Sequence, residues 1–350
     1  MADTDKKKWI GFDLGGTKML AVVYDHDLKP LGRRRRRTKG NSGAESVIER
    51  IIGAIERAME ETDTKVEEIA GIGIGCPGPV DPNTGLVHVC VNLGWENVNI
   101  GKILHKQFGC PVHVLNDVDA GVYGEYVDGA AKKSRCTVGI FPGTGIGGGC
   151  VYEDTILHGA DISCMEIGHT RISSGSRTSG YDLSGTLEAE ASRLAIAAEA
   201  AKAAYRGMAP HLYKETGMDL SEIRSGALAD SVKHGDTEVK ELIEEASRTI
   251  GLAVVNIVHL LAPDTIVMGG GLVEAMPDLI IGTVTRTAKK SVLAPYKNRF
   301  RVVQAELGDD AAVLGAAAWA RKRTPVAPAA AQEPTPAEPT PAEPNPPAAT

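Results

Sequence analysis

The sequence predicts an α/β protein of two lobes built on a duplicated unit. Three observations carry that prediction. At 350 residues and 43% hydrophobic, the chain is large enough to bury two cores. Short runs rich in Ile, Val and Leu alternate with segments whose apolar residues recur at helical spacing. Two Gly-rich hairpins with an embedded Thr lie in the two halves, Asp13-Leu14-Gly15-Gly16-Thr17-Lys18 and Gly143-Thr144-Gly145-Ile146-Gly147-Gly148-Gly149, as copies of one unit would.

The first hairpin joins the apolar runs at 9–14 and 19–23. Glycine there permits positive φ and close approach to bare N–H groups, so the turn is a candidate anion cradle. Thr17 adds a hydroxyl, Lys18 a cation, and Asp13 a carboxylate suited to a hydrated Mg²⁺. The next strand, 28–38, contains Arg33 to Arg37. Such a run points to both faces and reads as a solvated edge; the alternative is a patch for a polyanion such as polyphosphate.

Residues 43–61 carry Val47, Ile48, Ile51, Ile52, Ile55 and Met59 at helical spacing. The strand 69–75 runs into Cys76-Pro77-Gly78-Pro79, where Gly78 serves either close substrate approach or a simple turn. A strand over 85–90 leads to Asn92-Leu93-Gly94-Trp95, a short helix spans 99–108, and the strand 111–115 ends at Asn116-Asp117. That pair either caps the helix 118–128 or supplies a general base at Asp117.

The second hairpin, after the strand 136–141, holds Gly143, Thr144 and Gly145 between two strands. A dinucleotide-binding GxGxxG must open a helix, so a Rossmann site is disfavoured. Glu166 and His169, three apart, offer hydrogen-bonding groups to a polar ligand or sit in a solvated loop. A Ser/Gly-rich loop over 173–185 precedes one long Ala-rich helix from Thr186 to about 206, with Glu188 in its first turn. Residues 221–262 read as helical, with 241–261 apolar on nearly all sides. Gly269, Gly270 and Gly271 mark a strand-to-helix turn where a nucleotide can lie against backbone. A strand at 301–306 and a small-residue helix at 311–321 close the ordered chain, and the Pro/Ala/Glu/Thr-rich stretch 324–350 is expected to be disordered.

The net charge of −7 argues against a nucleic-acid partner, and no apolar run is long enough to span a membrane. The six cysteines form no CxxC pair and read as free thiols of a reducing cytoplasm. With 4% aromatics the cores must be aliphatic.

Taken together and in order, DLGGTK (13–18), GCPGPVD (75–81), NLGW (92–95), ND (116–117), GTGIGGG (143–149), EIGH (166–169), LEAEAS (187–192) and GGG (269–271) resemble the ROK family of bacterial sugar kinases, in the actin/hexokinase-like ATPase superfamily. The likeness runs from about residue 9 to 321. It implies two actin-like (ribonuclease H-like) domains with mixed sheets around a central cleft: 1–116 plus about 308–323, and 117–307. It implies ATP and Mg²⁺ as cofactors, a hexose as acceptor, and a homodimer or homotetramer. By the same resemblance, Asp117 is the catalytic base, and Gly78, Asn92, Asn116, Asp117, Glu166, His169 and Glu188 bind the sugar. Gly15 to Lys18, Gly143 to Gly145 and Gly269 to Gly271 hold the nucleotide, with Asp13 at the magnesium.

The expected reaction is phosphorylation of a hexose 6-hydroxyl, glucose first. Fructose, mannose, N-acetylated hexosamines and a polyphosphate donor are the alternatives. Many family members bind a structural zinc through the EIGH histidine and three cysteines; the matching positions here are Ser179, Tyr181 and Thr186, so no zinc is expected and packing must hold the loop 172–187. Family repressors carry a winged-helix segment before the first hairpin. Only a dozen residues precede Asp13, so a kinase rather than a sugar-sensing regulator is expected.

Overall fold

In the computed structural model, which describes residues 7–40, 43–180 and 182–325, β1 (Lys8–Leu14) and β2 (Lys18–Tyr24) form the first hairpin. Trp9 pairs with Tyr24 and Leu14 with Met19. β3 (Pro30–Arg37) pairs antiparallel with β2 at the sheet edge. Its arginines alternate between faces: Arg35 meets Asp309 at 2.6 Å, Arg34 meets Glu61 at 3.1 Å, and Arg33 pairs with Asp310. The edge reading of this run therefore has ion-paired arginines behind it.

α1 (Ala44–Glu60) buries Val47, Ile51, Ala54, Ile55, Ala58 and Met59 against the sheet. β4 (Ile69–Cys76) returns parallel to β1. A small side sheet follows, of β5 (Val80–Asp81), β6 (Leu86–Cys90) and β7 (Trp95–Asn99). α2 (Ile100–Phe108), capped by the Asn99 side chain, leads to β8 (Val112–Asn116) and α3 (Asp117–Asp128). The main sheet has the order β3-β2-β1-β4-β8.

The second half repeats that plan. β9 (Cys136–Pro142) and β10 (Ile146–Tyr152) form a hairpin, and β11 (Thr155–Ile156) lies at the edge. After a long loop come α4 (Leu187–Ala191), α5 (Arg193–Tyr205), α6 (Pro210–Thr216), α7 (Ser225–Lys233) and α8 (Thr237–Leu261). β12 (Thr265–Met268), α9 (Gly271–Ala275), α10 (Pro277–Ser291), β13 (Arg301–Gln304) and α11 (Ala311–Arg323) complete the chain. The order is β11-β10-β9-β12-β13, with β12 and β13 parallel to β9. Each sheet is thus two antiparallel edge strands plus three parallel ones, and the duplication read from the hairpins holds.

Aliphatic side chains fill a core around each sheet. A third cluster joins Leu20 and Val22 of the first sheet to Val151 and Ile156 of the second, through α3 and α11. This joint depends on backbone contact. A Cβ on Gly73 would fall 1.8 Å from Ala316 O, and one on Gly315 would fall 1.8 Å from Ala120 O. The small residues of α11 let it lie directly on β4 and α3.

The structure departs from the sequence reading in five places. The Ala-rich helix is broken at Ser192, whose ψ of 162° is extended and whose side chain accepts from Ala195 N to cap α5. The 221–262 segment is interrupted at Gly235, which has φ of 96°. α8 is not apolar all round in its packing, since Leu252 and Leu260 face solvent. The segment 85–99 holds two strands, and α10 occupies a stretch for which no element had been assigned. The expected tail lies outside the described residues from 326 onward; Thr324 is described, its Oγ1 3.1 Å from His113 Nε2.

Candidate active site

Parallel strands put their C-terminal ends on one edge, where α/β sheets gather ligand groups. β1 ends at Asp13, which pairs with Gly75 of β4, and Cys76 of β4 pairs with Asn116 of β8. Asn116 does two jobs. Its Oδ1 accepts from Val118 N at 2.8 Å and Asp119 N at 3.3 Å, capping α3, while its Nδ2 donates to Gly78 O at 3.1 Å. Gly78 has φ of 96°, and a Cβ there would stand 2.1 Å from Val89 O, so the loop accepts only glycine.

Asp117 is the first residue of α3, and its Oδ1 accepts from Val118 N at 3.0 Å. Burial raises its pKa from an ordinary 3.8 to about 6; the backbone N–H opposes this and Glu166 adds to it. Behind it, Asp119 is 1% exposed with both carboxylate oxygens lacking a hydrogen-bond partner. Burial, then Glu166 and Asp117, push its pKa well above the usual carboxylate range.

Asn116, Asp117 and Gly78 face Glu166, His169 and Glu188 across a cleft of about 520 Å³, with Gly143 and Gly145 in its wall. A single 3₁₀ turn, Ile167–His169, sets Glu166 and His169 on the cleft side. Desolvation raises the Glu166 carboxyl, with His169 opposing and Glu188 reinforcing. Glu188 Oε2 accepts from Ile146 N at 2.9 Å, so it also braces the second hairpin.

That hairpin is closed by Gly143 N donating to Gly145 O at 2.8 Å. Arg193 locks it from outside. Its N–H donates to Gly143 O at 3.0 Å, and its Nη2 donates to Thr144 Oγ1 at 2.8 Å. The turn Gly269–Gly271 leans on the same strand end: a Cβ on Gly270 would stand 2.9 Å from Pro142 O. In the first hairpin, Thr38 Oγ1 donates to Gly15 O at 2.6 Å, and Thr17 and Lys18 are exposed. Asn92 packs on Gly16, with its Cβ 3.4 Å from the place a Gly16 Cβ would take, and does not line the cleft. The sequence-predicted residues therefore fall into one cleft and three flanking turns, with Asn92 beside a turn.

Arg193 and Asp119 were missed by the sequence reading. Arg193 meets a hydroxyl 49 positions away. The one local signal was Ser192, a cap residue inside an apparently continuous helix.

The donors at Asp13 fit a hard divalent cation. Burial lifts its pKa to about 7, Asp117 and Asp309 add to this, and Arg35 offsets it only in part. Such concentrated, poorly compensated carboxylate charge suits an oxygen-ligated Mg²⁺. The family zinc does not fit. Ser179 and Thr186 carry hydroxyls, the Thr186 Oγ1 is engaged by Ala189 N as a helix cap, and Tyr181 lies outside the described residues. The described helices include none long and apolar enough to cross a membrane.

Comparison with known proteins returns the ROK family over residues 9–323. A glucokinase of Thermotoga maritima is 31% identical, over 91% of this chain and 98% of that protein. A putative xylose repressor of Caldicellulosiruptor is 27% identical, over 88% of this chain and 77% of that protein. Among solved structures, a ROK family glucokinase from Streptomyces griseus in complex with glucose and AMPPNP superposes with a TM-score of 0.77 at 26% identity, over 90% of this chain and 99% of that one. The mixed-sheet α/β architecture is that of these kinases, the actin-like ATPase fold.

Proposed function

The chain belongs to the ROK family, and we propose that it is a sugar kinase that transfers the γ-phosphoryl group of ATP to the 6-hydroxyl of a hexose, glucose foremost. The observation that carries this reading is Asp117: a cleft carboxylate with a pKa near 6, at a helix start, ringed by sugar-binding residue types. A base poised just below neutral is ionised at physiological pH yet still basic enough to take a hydroxyl proton. The glucokinase relative and the glucose- and AMPPNP-bound neighbour support the acceptor and the donor.

In this mechanism Glu166, His169, Glu188 and the Asn116 amide bind sugar hydroxyls and orient the reacting oxygen toward Asp117. Asp117 takes the proton as that oxygen attacks the γ-phosphorus in line. Gly15 to Lys18, Gly143 to Gly145 and Gly269 to Gly271 offer backbone N–H groups to the phosphates. Asp13 would hold a magnesium ion, which would supply charge neutralisation at the phosphates when bound. Closure of two lobes, 1–116 with 308–323 against 117–307, keeps water from competing as acceptor.

Buried free cysteines suit a reducing cytoplasm. Assembly as a homodimer or homotetramer rests on the family resemblance alone. With Arg33, Arg34 and Arg35 already paired to carboxylates, polyphosphate is the less favoured donor. The test is ADP release with Mg-ATP against glucose, fructose, mannose and N-acetylated hexosamines, with hexose phosphate formation measured when polyphosphate replaces ATP as donor. Turnover highest on glucose with ATP is expected; no turnover on any hexose, with sugar still bound, overturns the kinase reading in favour of a sugar-sensing protein.

A further inference from the structure

Away from the cleft, α6 and α7 bring together three side chains with metal-binding donors. His211 lies in the first turn of α6, Asp230 on α7, and His234 directly after α7. His211 Nε2 stands 2.8 Å from Asp230 Oδ2, and His234 Nδ1 stands 3.5 Å from Asp230 Oδ1. The two imidazoles stack at 3.9 Å, 7° from parallel, and His234 Nδ1 is 2.9 Å from Asp230 O, so one ring turns out of the stack before both point a lone pair at one ion. One donor atom from each residue lies within 4.8 Å of the other two, and no other such group of three occurs among the described residues.

The backbone beneath these side chains is fixed from below. Asp236 is buried, 4% exposed, and its carboxylate accepts from His211 N at 3.3 Å, Leu212 N at 2.9 Å and Ser231 Oγ at 2.7 Å. It ties the start of α6 to the end of α7 at the residues that flank the donors. The backbone that carries the donors is thus pre-placed, which lowers the ordering cost of binding. Two ligands each about 2.1 Å from a tetrahedral metal lie about 3.4 Å apart, close to the 3.5 Å between His234 Nδ1 and Asp230 Oδ1. Two imidazoles and a carboxylate select a zinc-class transition metal over Mg²⁺ or Ca²⁺.

We propose that His211, Asp230 and His234 form a binding site for one zinc-class divalent ion, which takes water in its open positions and staples α6 to α7. The site is independent of the proposed catalysis and uses none of the family zinc positions.

The test uses the full chain without a polyhistidine tag, stripped with chelator, in a Cys164→Ser background because Cys164 is the thiol that is not buried. Zn²⁺ is titrated calorimetrically with excess Mg²⁺ present, which fills oxygen-only sites. Co²⁺ is titrated in parallel and read by visible absorption. One saturable equivalent is expected, with ligand-field bands and no thiolate charge-transfer band. His211→Ala and His234→Ala should each weaken binding by at least the roughly 10–100-fold that loss of an outer-shell partner costs, with unchanged circular dichroism. The cobalt spectrum of the Cys164→Ser parent, taken before either histidine is changed, tests for a thiolate ligand without a site variant. Absence of saturable binding, a thiolate band, or undiminished binding by the double variant overturns the site.

Discussion

Replacing Asp117 by Asn separates chemistry from folding. The folded pKa of about 6 lies roughly 2 units above the ordinary 3.8. Each unit is about 1.4 kcal/mol, so ionising Asp117 in the fold costs at most about 3 kcal/mol. The carboxylate lines a cleft and is only half-buried, which reduces this to about 1–2 kcal/mol. The sign follows from the raised pKa. The fold is favoured while Asp117 is protonated, and that advantage is lost as pH rises from about 4 through 6. Asn cannot ionise, so the variant should be the more stable protein at pH 7.5.

At roughly 0.7 kcal/mol per degree for a chain of this size, its Tm should rise by about 1.5–3 °C. The gain should vanish near pH 4. Over the same series kcat should fall by about 10²–10⁴, the usual worth of a general base. The wild-type kcat/KM should drop tenfold per unit below about pH 6, and that acid limb should disappear from the residual activity. Scanning calorimetry and a coupled ADP assay on one preparation measure both. A variant with near-normal turnover, or one less stable at pH 7.5, refutes the reasoning.

Other outcomes follow from specific contacts. Arg193→Ala removes the side-chain brace on Thr144 while keeping the backbone bond to Gly143 O, and should raise KM for ATP about tenfold, with little change in hexose affinity measured calorimetrically. Glu166→Gln keeps the size of a cleft carboxylate but loses its charge; the hexose KM should rise about tenfold or more while the ATP KM stays put. Gly73→Ala drives a Cβ into Ala316 O. Thermal denaturation should show a loss of about 1–3 kcal/mol or more, since the obstacle is backbone.

Local chemistry made much of this protein legible. The hairpins at 13–18 and 143–149, the arginine edge strand and the small-residue closing helix are set by glycine, charge and side-chain size within a few residues. The residues that meet in the cleft were legible only as an ordered set of motifs, because spacing left Asn116-Asp117 open between cap and base. The structure shows that Asn116 takes the cap and leaves Asp117 facing the cleft. What failed was long-range. Alanine propensity favours one helix from 187 to 205, but Gly143 O draws Arg193 N, and Ser192 turns the chain to let that bond form. The Arg193–Thr144 contact and the buried Asp119 arise where segments distant in sequence pack. Neither has a sequence-local cause.

The central claim is tested most directly by the phosphorus NMR spectrum of the product formed from Mg-ATP and glucose. A phosphate ester on the primary 6-hydroxyl couples to two methylene protons and gives a triplet in the proton-coupled spectrum, alongside ADP. The account predicts that triplet with wild-type protein and its loss with Asp117→Asn. A doublet would place the phosphate on a ring carbon, and inorganic phosphate alone would mean that water is the acceptor; either contradicts it.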